Sequence, residues 1–131
     1  MSATASKRES VDLIEFVAAP PGFYPRTSFT LDPIADADGI FALRSVDKEV
    51  RLFVLDPAVA ALEYQPRIPL SLHSEIGTQS VDDVDIYVVL NPSEDGVFVN
   101  LRAPIVINRL TRQATQAILD EQDYPLRMRL K

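Results

Sequence analysis

The chain contains no cysteine in its 131 residues. A disulfide framework and thiolate metal sites are therefore excluded. It has one histidine, His73, with no cysteine beside it and no nucleophile-elbow motif nearby. A hydrolytic site built from His73 and a carboxylate is thus a remote reading, and a lone surface histidine is the expected one. The four glycines, Gly22, Gly39, Gly77 and Gly96, are scattered, so no phosphate loop or dinucleotide fingerprint can be assembled. No apolar run approaches the roughly 20 residues of a membrane-spanning helix. Residues 1–10 ("MSATASKRES") are polar, and no long apolar stretch follows them as a secretory leader would require. They are expected to form a flexible tail on a single domain spanning 11–131.

Hydrophobic residues make up 47% and charged residues 24% of the chain, a globular composition. The net charge is −6, unevenly placed. Residues 1–101 hold sixteen acidic and seven basic side chains, residues 102–131 three acidic and six basic. An acidic body disfavours nucleic-acid binding, which needs Lys and Arg against phosphate. It favours encounters with basic proteins. Carboxylates cluster at Asp36/Asp38, at Asp82/Asp83/Asp85 and at Glu94/Asp95, none with the spacing of a calcium loop. No metal or cofactor is expected.

Short apolar segments recur every 8–12 residues, the pattern of an all-β barrel or sandwich. Val11–Val17 reads as a strand stopped by Pro20, Pro21 and Gly22. Thr27–Leu31 is a short alternating strand, and Asp32–Gly39 a loop. Ile40–Val46 and Glu49–Asp56 read as a hairpin turning at Asp47–Lys48. Asp56-Pro57 suits a helix start, with about two turns before Pro66. Arg67–Leu72 reads as a poor edge strand because of Pro69, and His73–Asp83 as loop or a short helical turn. Val84–Leu90 is the clearest strand. Asn91–Gly96 then turns the chain into Val97–Asn108. Thr111–Ala114 reads as another turn, before strand-like Thr115–Leu119 and an extended Tyr124–Leu130. The fold class expected is mainly β, a compact barrel-like domain of short antiparallel strands with one or two helical turns.

The segment "NLRAPIVIN" (Asn100–Asn108) followed by "RQATQAIL" closely resembles the signature block of the FliW family of bacterial flagellar assembly factors. "PGF" at Pro21–Phe23, "FALRSVDKEVRLFVLDP" at Phe41–Pro57, Tyr64, "DDVDIYVVLNP" at Asp82–Pro92 and "DYPLR" at Asp123–Arg127 are similar to further family elements, in order. The likeness covers about residues 11–131. The chain departs from it at Ala19-Pro20, at Gln65-Pro66 and at its N-terminal segment. The resemblance implies a non-enzymatic cytoplasmic protein that binds flagellin and the basic RNA-binding regulator CsrA, coupling flagellin level to its translation. It implies no direct contact with nucleic acid or membrane, and a monomer when free. The rival from another class is a small nucleic-acid-binding barrel of the OB type.

Candidate partner-binding residues are Phe23, Tyr64, Asn100, Leu101, Pro104 and Asn108, with Asp82, Asp83 and Asp85 as an acidic face. If both ends of the Val84–Asn108 hairpin approach other acidic loops, Asp82–Asp85 and Glu94–Asp95 form one negative rim. Pro104 cannot donate to a sheet ladder, so it marks a bulge or a change of strand partner. Asn100 and Asn108 are placed to hydrogen-bond the backbone groups such a break leaves unpaired. The block can equally be structural.

Overall fold

In the computed structural model, which describes residues 12–60 and 62–130, eight strands and one short helix are found. The strands are β1 (Leu13–Phe16), β2 (Ser28–Pro33), β3 (Ile40–Ser45), β4 (Arg51–Leu55), β5 (Val84–Ser93), β6 (Gly96–Asn108), β7 (Gln113–Gln116) and β8 (Met128–Arg129). The helix α1 is Leu70–Ile76. Strands run in the order β5-β4-β3-β2-β1-β7-β6, and β5 also pairs with β6, which closes the sheet into a barrel. β8 attaches to the first half of β6. The neighbours are antiparallel except β1 and β7, which run parallel.

Alternation along the strands divides the apolar residues between two faces. Ile14, Phe16, Phe29, Leu31, Leu43, Val54, Tyr87 and Ile105 point inward and form the main core. Phe16 meets Phe29 edge-on at 5.4 Å, and Phe41 meets Tyr87 at 5.3 Å. The outer face of β5 and β6 is also apolar, so it too must be covered. Tyr64, Tyr124 and Met128 cover Val88, Leu90, Val99 and Leu101. Helix α1 places Ile76 and Leu72, four residues apart on one face, against Val84, Val106 and Leu119.

The strand β6 explains the asparagine and the proline. It stays one continuous strand, but Tyr87 pairs with Ile105 while Val89 pairs with Asn100. Four residues, Leu101–Pro104, therefore lie opposite the single Val88, a bulge larger than the usual two-against-one kind. The bulge reverses the facing of odd-numbered residues: Val99 and Leu101 pack outside, Ile105 and Ile107 inside. The edge partner of β6 changes at the same place, from β8 at Phe98–Val99 to β7 at Ile105–Ile107. Asn100 Oδ1 accepts the bulge N–H groups of Arg102 (2.9 Å) and Ala103 (3.2 Å). Pro104 supplies only an acceptor, taking Ala117 N–H at 2.8 Å.

Several expectations are corrected. No two-turn helix follows Pro57; residues 57–60 form a turn tied by Asp56 Oδ1, which accepts Ala58 N–H at 3.0 Å. Val59 abuts Gly39, where an added Cβ would approach it to 2.8 Å. Arg67–Leu72 is not an edge strand. Pro69 ends an extended stretch and caps α1 in a β conformation (ψ 148°), where its missing N–H costs nothing. β5 and β6 extend through Asn91–Ser93 and from Gly96, so only Glu94–Asp95 form the turn. β7 begins at Gln113, inside the segment read as a turn. His73 is not on the surface: it is 6% exposed on α1, and its Nδ1 shares a 2.7 Å hydrogen bond with Thr78 Oγ1. The flexible tail expected over residues 1–10 lies outside the described residues.

Candidate functional site

The barrel has two unlike ends, and the register decides which residues reach each. One end carries the start of β5, the end of β6 and the β2–β3 turn. Asp12, Asp36, Asp38, Asp56, Asp82, Asp83 and Asp85 all belong to it. Asp85 shares the inward face of Tyr87 and closes this end through ions. Arg112 Nη1 donates to it at 3.1 Å, and Arg109 Nε at 3.0 Å. Arg112 also grips Asp12 at 2.8 and 2.6 Å, joining positions 100 residues apart. Burial alone would lower the Arg112 pKa, but the hydrogen bonds it donates to Asp12 and Asp85 outweigh that and raise it. Tyr87, just beneath, is pushed up to about 12 by burial, then by Asp85, Asp56 and Asp12, against the opposing pull of Arg112.

Asp83 is engaged in the backbone. With Ser80 it forms a capping box on the 3-10 turn Val81–Asp83, its Oδ2 accepting Gln79 and Ser80 N–H, both at 3.2 Å. Asp82 is exposed, and no ion pair involves it among the described residues. Asn108 anchors the same corner. Its Oδ1 accepts Leu110 and Thr111 N–H (2.8 and 3.1 Å), and its Nδ2 donates to Ile76 O at 2.8 Å. It is buried and structural.

The opposite end carries the β3–β4 and β5–β6 turns and the loop after β1. Glu94 and Asp95 lie here, ten residues of β5 away from Asp82 and Asp83, about 30 Å at strand rise. The single negative rim expected from both pairs is therefore not formed. A cavity of about 370 Å³ opens at this end, lined by Phe23, Leu52, Val89, Asn100, Gln116 and Ile118 among others. Phe23 sits over it, edge-on to Phe29 at 6.2 Å.

The predicted residues thus separate. Phe23 and Asn100 meet at the cavity. Leu101 faces the outside of the bulge, where Tyr64 Oη donates to its carbonyl at 2.6 Å and Tyr64 meets Tyr124 at 4.8 Å. Burial, then Tyr124, raises the Tyr64 pKa. Pro104 is buried within the bulge. The sequence reading missed Arg109, Arg112 and Asp12. Arginines next to a turn gave the only signal, and their partners come from distant strands. Among the described residues no group of three metal-ligating side chains is assembled, and no helix is long and apolar enough to cross a membrane.

The comparisons with known proteins agree with one another. A family model described as FliW protein matches residues 3–130. A flagellar assembly factor FliW of Shouchella clausii (strain KSM-K16) is 31% identical over 124 residues, covering 92% of this chain and 85% of that protein. One from Thermotoga maritima is 33% identical over 111 residues, 82% of this chain and 74% of its own length. A crystal structure of the flagellar assembly factor FliW superposes with a TM-score of 0.82 at 26% identity, covering 90% of this chain and 84% of that one. With the closed barrel and the Asn100–Asn108 block in place, these matches show that the chain belongs to the FliW family of flagellar assembly factors.

Proposed function

We propose that the chain acts without catalysis, in the cytoplasm, as a partner switch that binds flagellin and antagonises the translational regulator CsrA. When flagellin is exported, the freed protein would capture CsrA and so couple flagellin level to flagellin translation. The observation that carries the CsrA half is the acidic end of the barrel. An RNA-binding regulator is basic, and an end with seven carboxylates against Arg109 and Arg112 attracts it. The flagellin half rests on family membership.

The test is size-exclusion chromatography of the purified protein with CsrA and with flagellin from the same organism, at low and moderate salt. Each should co-elute with it, the CsrA complex weakening as salt rises. Flagellin mRNA alone should not co-elute. Retention of RNA at physiological salt without flagellin binding would reverse this reading.

A further inference from the structure

We propose that the cavity at the end opposite the acidic one is a receptor for a single bulky aliphatic or aromatic side chain carried by an acidic peptide segment. The cavity, about 370 Å³, sits at the small end of the roughly 300–1,000 Å³ typical of ligand pockets. None of its lining residues is charged. Its rim includes Ile118, 52% exposed although it is large and apolar. The extended stretch after β7, where Ala117 and Leu119 N–H donate to Pro104 and Arg102 carbonyls, explains this. Ala117 and Leu119 pack outward beneath α1, which turns Ile118 toward the cavity. An apolar hollow rimmed by an exposed aliphatic side chain is the geometry of an interface anchor pocket.

Two amide groups give the occupant a direction. Asn100 spends its Oδ1 on the bulge backbone, and Gln116 spends its Nε2 on Ala103 O at 2.9 Å. Among the described residues, Asn100 Nδ2 and Gln116 Oε1 have no partner. One donor and one acceptor are thus left for a peptide group crossing the mouth.

Charge selects the peptide. Phe98 lies on the face of β6 that carries Asn100, and it pairs with Asn91, which lines the cavity. Arg127 stacks on the Phe98 ring at 3.6 Å, and Arg129 stands 5.7 Å from it. Arg26, Arg44, Lys48 and Arg51 belong to the same end, against Asp47, Glu49, Glu94 and Asp95. Arg26 is already paired with Asp47 at 3.0 Å. The two guanidiniums held on Phe98 are fixed beside the cavity, so carboxylates flanking the anchor side chain are favoured there. The inference holds whether or not flagellin or CsrA supplies the peptide.

The test is selection of a phage-displayed random heptapeptide library on the full chain, with Ile118→Asp and the pair Arg127→Glu/Arg129→Glu as counter-baits. Selected peptides should carry Leu, Ile, Phe or Met beside Asp or Glu. Their synthetic forms should bind at least tenfold more weakly to each variant. In NMR titration they should shift the amides of Asn91, Asn100, Ala103 and Gln116. Thermal melts that match the parent confirm that the variants fold. If either variant is unfolded, the shift map on the parent chain decides alone. No enrichment, enrichment of basic or purely polar peptides, or shifts confined to another surface would overturn the proposal.

Discussion

The two ends of this barrel close by opposite means. At one, Asp12, Arg112 and Asp85 form a chain of ion pairs over Tyr87. At the other, an uncharged hollow opens beneath Phe23. Both ends face the difficulty that a barrel's inward residues run out of neighbours at the rim. A charged plug meets it with groups that water also solvates, so it closes the core and still presents charge. An apolar end leaves surface uncovered, which is tolerated where a partner covers it. The closed end is accordingly read as structure plus long-range steering, and the open end as a contact surface.

The strongest challenge to that contrast is Asn108→Ala. It strips the acceptor from Leu110 and Thr111 N–H and the donor from Ile76 O at the closed end. A loss of about 3 kcal/mol in urea unfolding is expected, because buried polar groups are left unpaired. A loss below about 1 kcal/mol would show that the corner is not structural.

Arg112→Ala comes next, with a loss of about 1–3 kcal/mol. Breaking a buried pair is costly, but here the groups are partly exposed, and Arg109 still answers Asp85. Asp95→Ala, at the turn of the opposite end, should change stability by less than about 0.5 kcal/mol. Equal effects of the two substitutions would erase the distinction between plug and open end.

Alkaline pH tests the same plug more finely. Tyr87 has its folded-state pKa raised by burial to about 12 from the ordinary phenol value of 10.0. The folded chain therefore holds the phenol proton more tightly than the unfolded chain. Its contribution is complete below pH about 10 and is lost as pH rises toward 12. Tyr64, also raised, acts in the same direction. Denaturation midpoints should fall over that window, and Tyr87→Phe should make the fall shallower. An identical pH profile for Tyr87→Phe would remove Tyr87 from the account.

The smallest effect is kinetic. If CsrA is the partner proposed above, Asp82→Lys should slow association with it several-fold at low salt and flatten its salt dependence, with no change in fold. Glu94→Lys with Asp95→Lys, at the other end, should leave that rate unchanged. Stopped-flow association rates in which both variants slow equally would show that net charge matters and its placement does not.

Much of the fold was legible because strands announce themselves locally. The apolar, β-branched and aromatic runs of Ile40–Ser45, Arg51–Leu55 and Val84–Leu90, bounded by turn residues, need nothing beyond neighbouring residues. Pro104 and Asn100 announced the bulge for a local reason too: one cannot donate a hydrogen bond, and the other can accept those the bulge leaves free. Helix α1 was not legible, because two turns give too few repeats to separate a 3.6 period from a proline-marked edge. The 57–60 turn was misread for a related reason. Asp-Pro fits a helix start or an isolated turn equally well, and the contact of Val59 with Gly39 is tertiary. His73 reads as a surface residue until Thr78 and the helix bury it.

The sequence by itself determined the β class, the position of the strand irregularity and the absence of a recognisable catalytic motif, since these follow from side-chain chemistry and short-range periodicity. Only the tertiary structure decided which carboxylates stand together and which are neutralised. Asp12 meets Arg112 across 100 residues, while Asp82 and Asp95, only thirteen apart, face opposite ends. Charge sums along the chain, but electrostatic energy depends on separation in space, and barrel closure sets that separation.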